Sequence, residues 1–250
     1  MASPDDHLLA AELAKSAGEL LLNVRAELQQ QEAAQSEIKD QGDRLAHEFL
    51  MQELRSHRPT DSVLSEESSE ADRLDPARLT AERVWVIDPL DGTREFGEGR
   101  SDWAVHVALV EAGVPTAGAV ALPGLGLVFS TDNPPELPAA GMPLRVIVSR
   151  SRPPAEALKI AESLNADLVE MGSAGAKTMA ILRGEADIYP HSGGQFEWDS
   201  CAPVAVATAA GLSCTRLDGS PLVYNCANPY LPDLLICRPA NTEQVLAVLN

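Results

Sequence analysis

The chain has 250 residues, a formal net charge of −18 and few aromatic side chains, which make up 4% of its composition. This length suffices for one large domain or for two subdomains with a substantial buried core. The negative charge argues against a nucleic acid polymer or an anionic membrane as the main partner, although bound metal cations can reverse the sign at one site.

The first two predicted elements are helices. Apolar residues recur at helical spacing from about residue 5 to 30, behind the acidic pair Asp5 and Asp6, which suits a helix N-terminus. A second helix is expected over about residues 43–56. The N-terminal stretch is acidic and its apolar residues are interrupted, so we expect neither a secretory signal nor a membrane span, and a cytoplasmic location.

Short β-prone runs follow the helices, separated by glycine and proline: SVLSEE, VWVID, WAVHVALV, TAGAVALP and LGLVFS. Helices followed by such a run predict an α+β half over residues 1–135, in which the helices cover an antiparallel sheet. The proline-rich segment 131–143 marks the boundary. Beyond it strands and helices alternate, which predicts an α/β half over residues 140–250.

The four cysteines are confined to the last quarter of the chain, at Cys201, Cys214, Cys226 and Cys237. Their spacing contains no close CxxC pair, and the chain is expected to be intracellular. We therefore expect reduced structural thiols, with a zinc site or disulfides as the alternatives.

The segment WVIDPLDGTREF, residues 85–96, places two carboxylates, Asp88 and Asp91, directly after a strand that is expected to be buried. Pro89 restrains Asp88 from helical geometry and predicts a turn after it. These two carboxylates repel each other unless a positive charge lies between them. A plain polar turn is the alternative interpretation of so short a motif.

Gly92 permits backbone angles that other residues avoid, so Asp91, Thr93 and the Leu90 carbonyl can point at one spot. Oxygen ligands of this kind, several of them anionic, are those that Mg²⁺, Mn²⁺ or Ca²⁺ prefer. Thr93 has a second interpretation, because a hydroxyl between the Asp43 carboxylate and a water can help to remove a proton from that water. A turn threonine bonded to its own backbone is the alternative.

The segment EWDSCAP, residues 197–203, places Asp199 at the start of a helix with a small, apolar interior. A plain N-cap is one interpretation. Because helix N-termini also favour anions, a carboxylate that binds metal beside a phosphate is the other.

Three segments together, SEE at 65–67, WVIDPLDGTREF at 85–96 and EWDSCAP at 197–203, resemble the signature set of the inositol monophosphatase superfamily of Mg²⁺-dependent, lithium-sensitive phosphatases. The resemblance covers essentially the whole chain. It implies a layered αβαβα sandwich in which two subdomains share one metal site. The residues TREF and CAP look more like those of the 3′-phosphoadenosine 5′-phosphate phosphatases than those of the inositol monophosphatases.

The resemblance also implies roles for individual positions. The implied metal ligands are Glu66, Asp88, the Leu90 carbonyl, Asp91 and Asp199. The implied catalytic group consists of Thr93 paired with Asp43, together with Glu66, and it is supported from behind by Glu67. The implied substrate contacts are Gly92, Thr93, Gly172, Ser173, Lys177, His191 and Asp199.

Two of these substrate contacts have an open alternative. Lys177 either meets a second phosphate of the substrate or stays a surface lysine. His191 lies near a position where relatives that process inositol carry an acidic residue, so it argues against inositol; a surface histidine is its alternative.

The implied cofactor is Mg²⁺, as two or three ions, with Mn²⁺ as a substitute and Li⁺ as an inhibitor. The implied reaction is direct hydrolysis of the 3′-phosphate of 3′-phosphoadenosine 5′-phosphate, and of its 5′-phosphosulfate as a further substrate, to AMP and phosphate. Activity on inositol phosphates or fructose 1,6-bisphosphate is the first alternative, and a non-catalytic metal or nucleotide sensor is the second. A homodimer is a further implication of the family.

Overall fold

Helices and strands follow one another along residues 1–249, the part of the chain that this computed structural model describes. Asn250, the last residue of the predicted α/β half, lies outside the described residues. The helices are α1 (Pro4–Gln30), α2 (Gln35–His57), α3 (Glu70–Arg73), α4 (Pro76–Thr80), α5 (Thr93–Gly97), α6 (Ala155–Leu164), α7 (Ala174–Leu182), α8 (Glu197–Ala209) and α9 (Pro239–Leu249).

Ten strands of the described residues form two five-stranded sheets. The first sheet has the order β1 (Ser62–Ser65), β2 (Arg83–Asp91), β3 (Ala104–Glu111), β4 (Val114–Leu122), β5 (Leu127–Ser130). The strands of the second are β6 (Arg145–Ser149), β7 (Asp167–Met171), β8 (Ile188–Phe196), β9 (Ser213–Thr215) and β10 (Tyr230–Cys237), in the spatial order β7-β6-β8-β10-β9.

Both sheets are buried on two faces, because successive side chains of a strand point to opposite sides. On β2, Val84 and Val86 face the central core, whereas Trp85 and Ile87 face α1 and α2. This double burial explains why VWVI reads as a continuous apolar run rather than an alternating one.

The elements stack in five layers. Helices α1 and α2 cover the outer face of the first sheet, α7 and α8 lie between the two sheets, and α6 and α9 cover the outer face of the second. This is the predicted αβαβα sandwich. The central core joins side chains from both predicted halves, and the division of the chain into two subdomains stays a prediction.

Several local predictions were wrong. Helix α2 begins at Gln35 rather than near residue 43, so Asp43 lies well inside a helix. The first sheet is not fully antiparallel, because β1 pairs with β2 in parallel. The short helices α3, α4 and α5 and the C-terminal helix α9 were not predicted from the sequence.

None of the helices within residues 1–249 is long and apolar enough to cross a bilayer. The four cysteines are free thiols, of which Cys201 and Cys237 are buried and Cys214 and Cys226 are half-buried. Burial raises the pKa of the Cys201 and Cys237 thiols, so both are unreactive packing residues.

Candidate active site

Three carboxylates from different parts of the chain converge where the two sheets meet α8. Asp88 and Asp91 come from β2, and Asp199 comes from α8. Each offers an oxygen atom, and these oxygens all lie within 4.8 Å of one another. Asp88 and Asp91 are only 1% and 8% exposed, so water does little to screen their charges.

The first two carboxylates meet because β2 is irregular. The strand does not turn at Pro89, as the sequence predicted, but continues to Asp91 with a shift in its pairing with β3 between Asp88 and Asp91. Residues three apart on a regular strand point to opposite faces, and a bulge removes that constraint. It also accommodates Pro89, which lacks an N–H for the ladder, while the Leu90 N–H donates to Asp88 Oδ1 at 3.0 Å.

The third carboxylate is held by the first turn of α8. Asp199 is the third residue of this helix, and Phe196 occupies the N-cap position, so the interpretation of Asp199 as a plain N-cap was wrong. Its Oδ2 accepts a hydrogen bond from the Phe196 N–H at 2.6 Å. The carboxylate therefore lies at the positive end of the helix dipole.

Burial and mutual repulsion hold protons on this cluster. Burial, followed by the charges of Glu66, Asp91 and Asp199, raises the pKa of Asp88 well above its usual range. Burial and neighbouring carboxylates likewise raise the pKa of Glu66 to about 7 and that of Asp199 to about 6.

A divalent cation fits these residues. Asp88 Oδ2 is buried and has no hydrogen-bond partner, which is costly for a carboxylate oxygen. The donors are all oxygens and several are anionic, as Mg²⁺ and Mn²⁺ require. A cation would take the place of the protons that the cluster otherwise binds.

Asp91 is the exception in the cluster, because positive groups face it. Burial raises the pKa of its carboxyl, but His106 and hydrogen bonds from Ser173 and Gly175 outweigh this and bring the pKa to about 2. His106 is fully buried on β3, with Nε2 3.2 Å from Asp91 Oδ2 and Nδ1 3.0 Å from the Trp198 carbonyl oxygen.

His106 was not predicted from the sequence as a residue of the site. Its only local signal is a histidine inside the otherwise apolar run WAVHVALV. The partners that give it a role lie on β2 and α8, which are distant in sequence.

The N-terminus of α7 binds Asp91 directly. Ser173 Oγ and the Gly175 N–H donate to Asp91 Oδ2 at 2.5 and 2.7 Å, and the Ala174 N–H donates to Oδ1 at 3.2 Å. A helix N-terminus favours a negative charge, which here is a side chain of the protein. Ser173 is therefore brought to the cluster, and its contact with substrate stays a prediction.

Two glycines allow α7 to approach this closely. A Cβ at Gly175 would lie 2.1 Å from His106 Nε2, and one at Gly172 would lie 2.4 Å from the Cδ of Glu95. The Gly172 N–H donates to Asp102 Oδ2 at 2.8 Å. A larger residue at Gly175 would push the start of α7 away from β3, and one at Gly172 would displace the Glu95 side chain of α5.

Thr93 contacts both the Asp43 carboxylate and its own turn backbone, the two alternatives predicted from the sequence. Its Oγ1 lies 3.3 Å from Asp43 Oδ1 and 3.1 Å from the Leu90 carbonyl oxygen. Burial and the charge of Glu67 raise the pKa of Asp43 to about 7, against the hydrogen bond from Thr93. Gly92, with φ +87°, provides the left-handed turn that begins α5 at Thr93.

The remaining predicted residues have different surroundings. Lys177 is 5% exposed, so the surface-lysine alternative was wrong; its Nζ donates to the Ser173 carbonyl at 2.8 Å. His191 is half-buried, with Nε2 3.2 Å from the Gly194 carbonyl, and is not a free surface histidine. Glu67 is exposed, and it lies close enough to Asp43 for its charge to raise the pKa of that carboxyl.

The sequence resembles one family over nearly its whole length. The model of the inositol monophosphatase family matches residues 6–249. The 3′-phosphoadenosine 5′-phosphate phosphatase of Mycobacterium leprae is 48% identical over 259 aligned residues, which cover 98% of this chain and 93% of the relative. The 3′(2′),5′-bisphosphate nucleotidase CysQ of Escherichia coli K12 is 31% identical and covers 74% of this chain and 79% of its own.

The fold has solved counterparts. The crystal structure of CysQ from Bacteroides thetaiotaomicron, described as a bacterial member of the inositol monophosphatase family, superimposes with a TM-score of 0.78. It is 26% identical in sequence and covers 94% of this chain and 97% of its own.

The raised pKa values predict how the stability of the metal-free protein depends on pH. Glu66, Asp88 and Asp199 bind protons more tightly in the folded than in the unfolded chain, so their stabilisation is present at low pH and is lost as pH rises from about 4 through about 7. We expect the melting temperature in EDTA to fall across this range, and Mg²⁺ to raise it more at pH 7.5 than at pH 5. Asp91, with its lowered pKa, titrates below this window.

Asp88→Asn serves as the control, because it removes one charge of the cluster and should flatten the pH dependence in EDTA. Equal melting temperatures with and without saturating Mg²⁺ at pH 7.5 would contradict a cation site here.

The close approach of α7 predicts the effect of Gly175→Ala. The added methyl group meets His106 Nε2, so the helix must shift and its hydrogen bonds to Asp91 weaken. Changes behind metal ligands typically cost about 10- to 100-fold in affinity, and we expect a loss of this size for Mg²⁺ in calorimetric titrations.

Thr178→Ser is a matched one-methyl change in the same helix that keeps the hydroxyl bonded to the Ala174 carbonyl. It should bind Mg²⁺ as the wild type does. Wild-type affinity in Gly175→Ala would show that the contact between α7 and Asp91 does not position that carboxylate.

Proposed function

Because the chain belongs to the inositol monophosphatase family, a family of metal-dependent phosphatases, we propose that it hydrolyses the 3′-phosphate of 3′-phosphoadenosine 5′-phosphate to give AMP and phosphate. The proposal is supported above all by the cluster of Asp88 and Asp91, which are buried, and Asp199, which is half-buried. The choice of a nucleotide substrate is supported by relatives of that name that are 48% and 51% identical to this chain.

The proposed cofactor is Mg²⁺, with two or three ions bound, Mn²⁺ as a substitute and Li⁺ as an inhibitor. The residues that would hold it are Glu66, Asp88, the Leu90 carbonyl, Asp91 and Asp199. Bound divalent cations supply charge neutralisation at the phosphoryl oxygens and make a nearby water more acidic.

Thr93 and Asp43 are proposed to move the proton of the attacking water. When Asp43 is ionised, the Thr93 hydroxyl donates to it, and its oxygen lone pairs are free to accept a proton from water. A pKa of about 7 suits Asp43 for accepting a proton near neutral pH. The hydrogen bond from Thr93 to the Leu90 carbonyl competes with this arrangement and holds the hydroxyl in place between turnovers.

The hydrolysis is proposed to be direct, without a covalent phosphoenzyme. A serine nucleophile would have to be Ser173, whose hydroxyl contacts the cluster. This hydroxyl donates to Asp91, a carboxylate whose pKa is about 2. So weak a base does not activate a serine nucleophile. The thiol of Cys201 is buried and has a raised pKa.

Positive charge behind α7 is proposed to assist substrate binding. Burial lowers the pKa of Lys177, whereas the charges of Asp91, Glu95 and Asp199 act to raise it. The Lys177 ammonium group therefore interacts with carboxylates of this site. A direct contact with a second phosphate would require Nζ to leave the Ser173 carbonyl. Contacts of Gly92, Gly172 and His191 with substrate, a cytoplasmic location and a homodimer stay predictions.

The function is tested by phosphate release from the purified protein in Mg²⁺. We compare 3′-phosphoadenosine 5′-phosphate, inositol 1-phosphate and fructose 1,6-bisphosphate, each with and without lithium. The nucleotide should have the highest kcat/KM by about 10-fold or more, equivalent to about 1.4 kcal/mol of transition-state binding, and lithium should inhibit its hydrolysis. Equal or faster release from inositol 1-phosphate would contradict the nucleotide assignment and leave the metal site unaffected.

A further inference from the structure

Two exposed aromatic side chains lie together beside the acidic cluster. Phe196 and Tyr230 are 40% and 47% exposed, and among residues 1–249 they are the only aromatic members of the exposed large hydrophobic side chains. Their rings contact each other edge to face, with centroids 6.0 Å apart. Because aromatic residues are scarce in this chain, an exposed pair in contact requires an explanation.

Phe196 rests on a rigid base. Its ring is stacked on the buried ring of Trp198, with centroids 4.8 Å apart and an interplanar angle of 10°. The guanidinium group of Arg73 also packs on Trp198, 4.7 Å from the ring centroid, and donates to the Glu66 carbonyl. The aromatic surface is therefore fixed in place before any ligand arrives.

The ring of Tyr230 packs over a glycine on the neighbouring strand. Tyr230 is the cross-strand partner of Phe196 in the pairing of β10 with β8. A Cβ at Gly194 would lie 2.3 Å from the Tyr230 hydroxyl oxygen and 2.5 Å from Cε2, so only glycine leaves room for the ring. Gly194 also adopts φ +86°, which favours glycine for a second reason.

The aromatic pair is connected to a carboxylate of the candidate site through the backbone of Phe196. The N–H of Phe196 donates to Asp199 Oδ2, so the backbone that carries the ring is in direct contact with the cluster. A phosphate ester bound at the cluster would have its organic part close to this backbone. A flat heteroaromatic base gains from stacking on an aromatic side chain, whereas an inositol ring has no π-face.

We propose that Phe196 and Tyr230 form a stacking platform for the purine base of the substrate while its 3′-phosphate lies at the acidic cluster. This inference rests on the proposed function and adds the side chains that select a nucleotide over an inositol phosphate. The platform acts on substrate binding, so its loss should raise KM for the nucleotide more than it changes kcat.

The test compares Phe196→Leu and Tyr230→Leu with the wild type in the presence of Mg²⁺. Leucine keeps apolar volume against Trp198 but has no ring. The ratio of kcat/KM for 3′-phosphoadenosine 5′-phosphate to that for inositol 1-phosphate should fall by about 10-fold or more, in line with measured stacking contributions. Phe196→Tyr and Tyr230→Phe keep both rings, and their ratios should stay within about 2-fold of the wild type.

Binding of AMP, measured by calorimetric titration, gives a readout that does not need turnover. AMP should bind at least about 10-fold more weakly to Phe196→Leu than to the wild type. If the wild type fails to hydrolyse the nucleotide, the proposed function is wrong, and this titration still decides whether the platform binds a base.

Three results would overturn the platform. An unchanged substrate ratio with unchanged AMP binding would show that the rings do not contact the base. Equal loss on both substrates would show that Phe196 acts only through Trp198 and Asp199. An unchanged ratio with a smaller sedimentation coefficient in Phe196→Leu would show that the pair joins two copies of the chain.

Discussion

The repulsion between carboxylates buried at one point is the constraint on which the rest of this site depends. Asp88 has a buried oxygen without a hydrogen-bond partner, and burial together with neighbouring carboxylates raises the pKa values of Glu66 and Asp199. A folded chain tolerates such a cluster only if protons or cations bind to it. The groups around the cluster reduce its negative potential without removing it, so that affinity for a cation remains.

The layered fold delivers these groups to one place. Helices α7 and α8 occupy the central layer, and the first turn of each meets the cluster, α7 at Asp91 and α8 at Asp199. His106, on β3, contacts both Asp91 and the Trp198 carbonyl, so one side chain links β2 to α8. Asp88 and Asp91 from the first predicted half and Asp199 from the second are therefore joined to one core, to which both halves contribute.

The fold places the charged groups and the aromatic side chains of the site in different environments. The three carboxylates of the cluster and the pair Thr93 and Asp43 are buried or half-buried, where charge interactions are strong. Phe196 and Tyr230 are exposed, and the backbone of Phe196 contacts Asp199, so the proposed aromatic surface would select the organic part of a substrate. A change in the platform can thus alter substrate choice while the metal site stays the same, which suits a family whose members act on different phosphate esters.

Features that depend on neighbouring residues in the chain could be predicted from the sequence, whereas features that depend on distant contacts could not. The order of helices and strands followed from the spacing of apolar residues, and the pair Asp88 and Asp91 from a local motif. The layered sandwich and the convergence of Asp199 with that pair were implied by the resemblance to one family. The turn predicted at Pro89 was wrong because pairing with β3 carries the strand on through a bulge, which depends on a neighbouring strand. His106 was missed, and Phe196 was not foreseen at the N-cap of α8, because their contacts join residues far apart in the chain or depend on where a helix begins.

Crystals of the protein soaked in Mn²⁺ test the central claim most directly, because manganese can be located by its anomalous scattering. We expect a strong anomalous peak bounded by carboxylate oxygens of Asp88, Asp91 and Asp199, and no such peak in crystals of Asp88→Asn. A wild-type crystal with the three carboxylates in contact with one another, and no peak between them at saturating Mn²⁺, would contradict this claim.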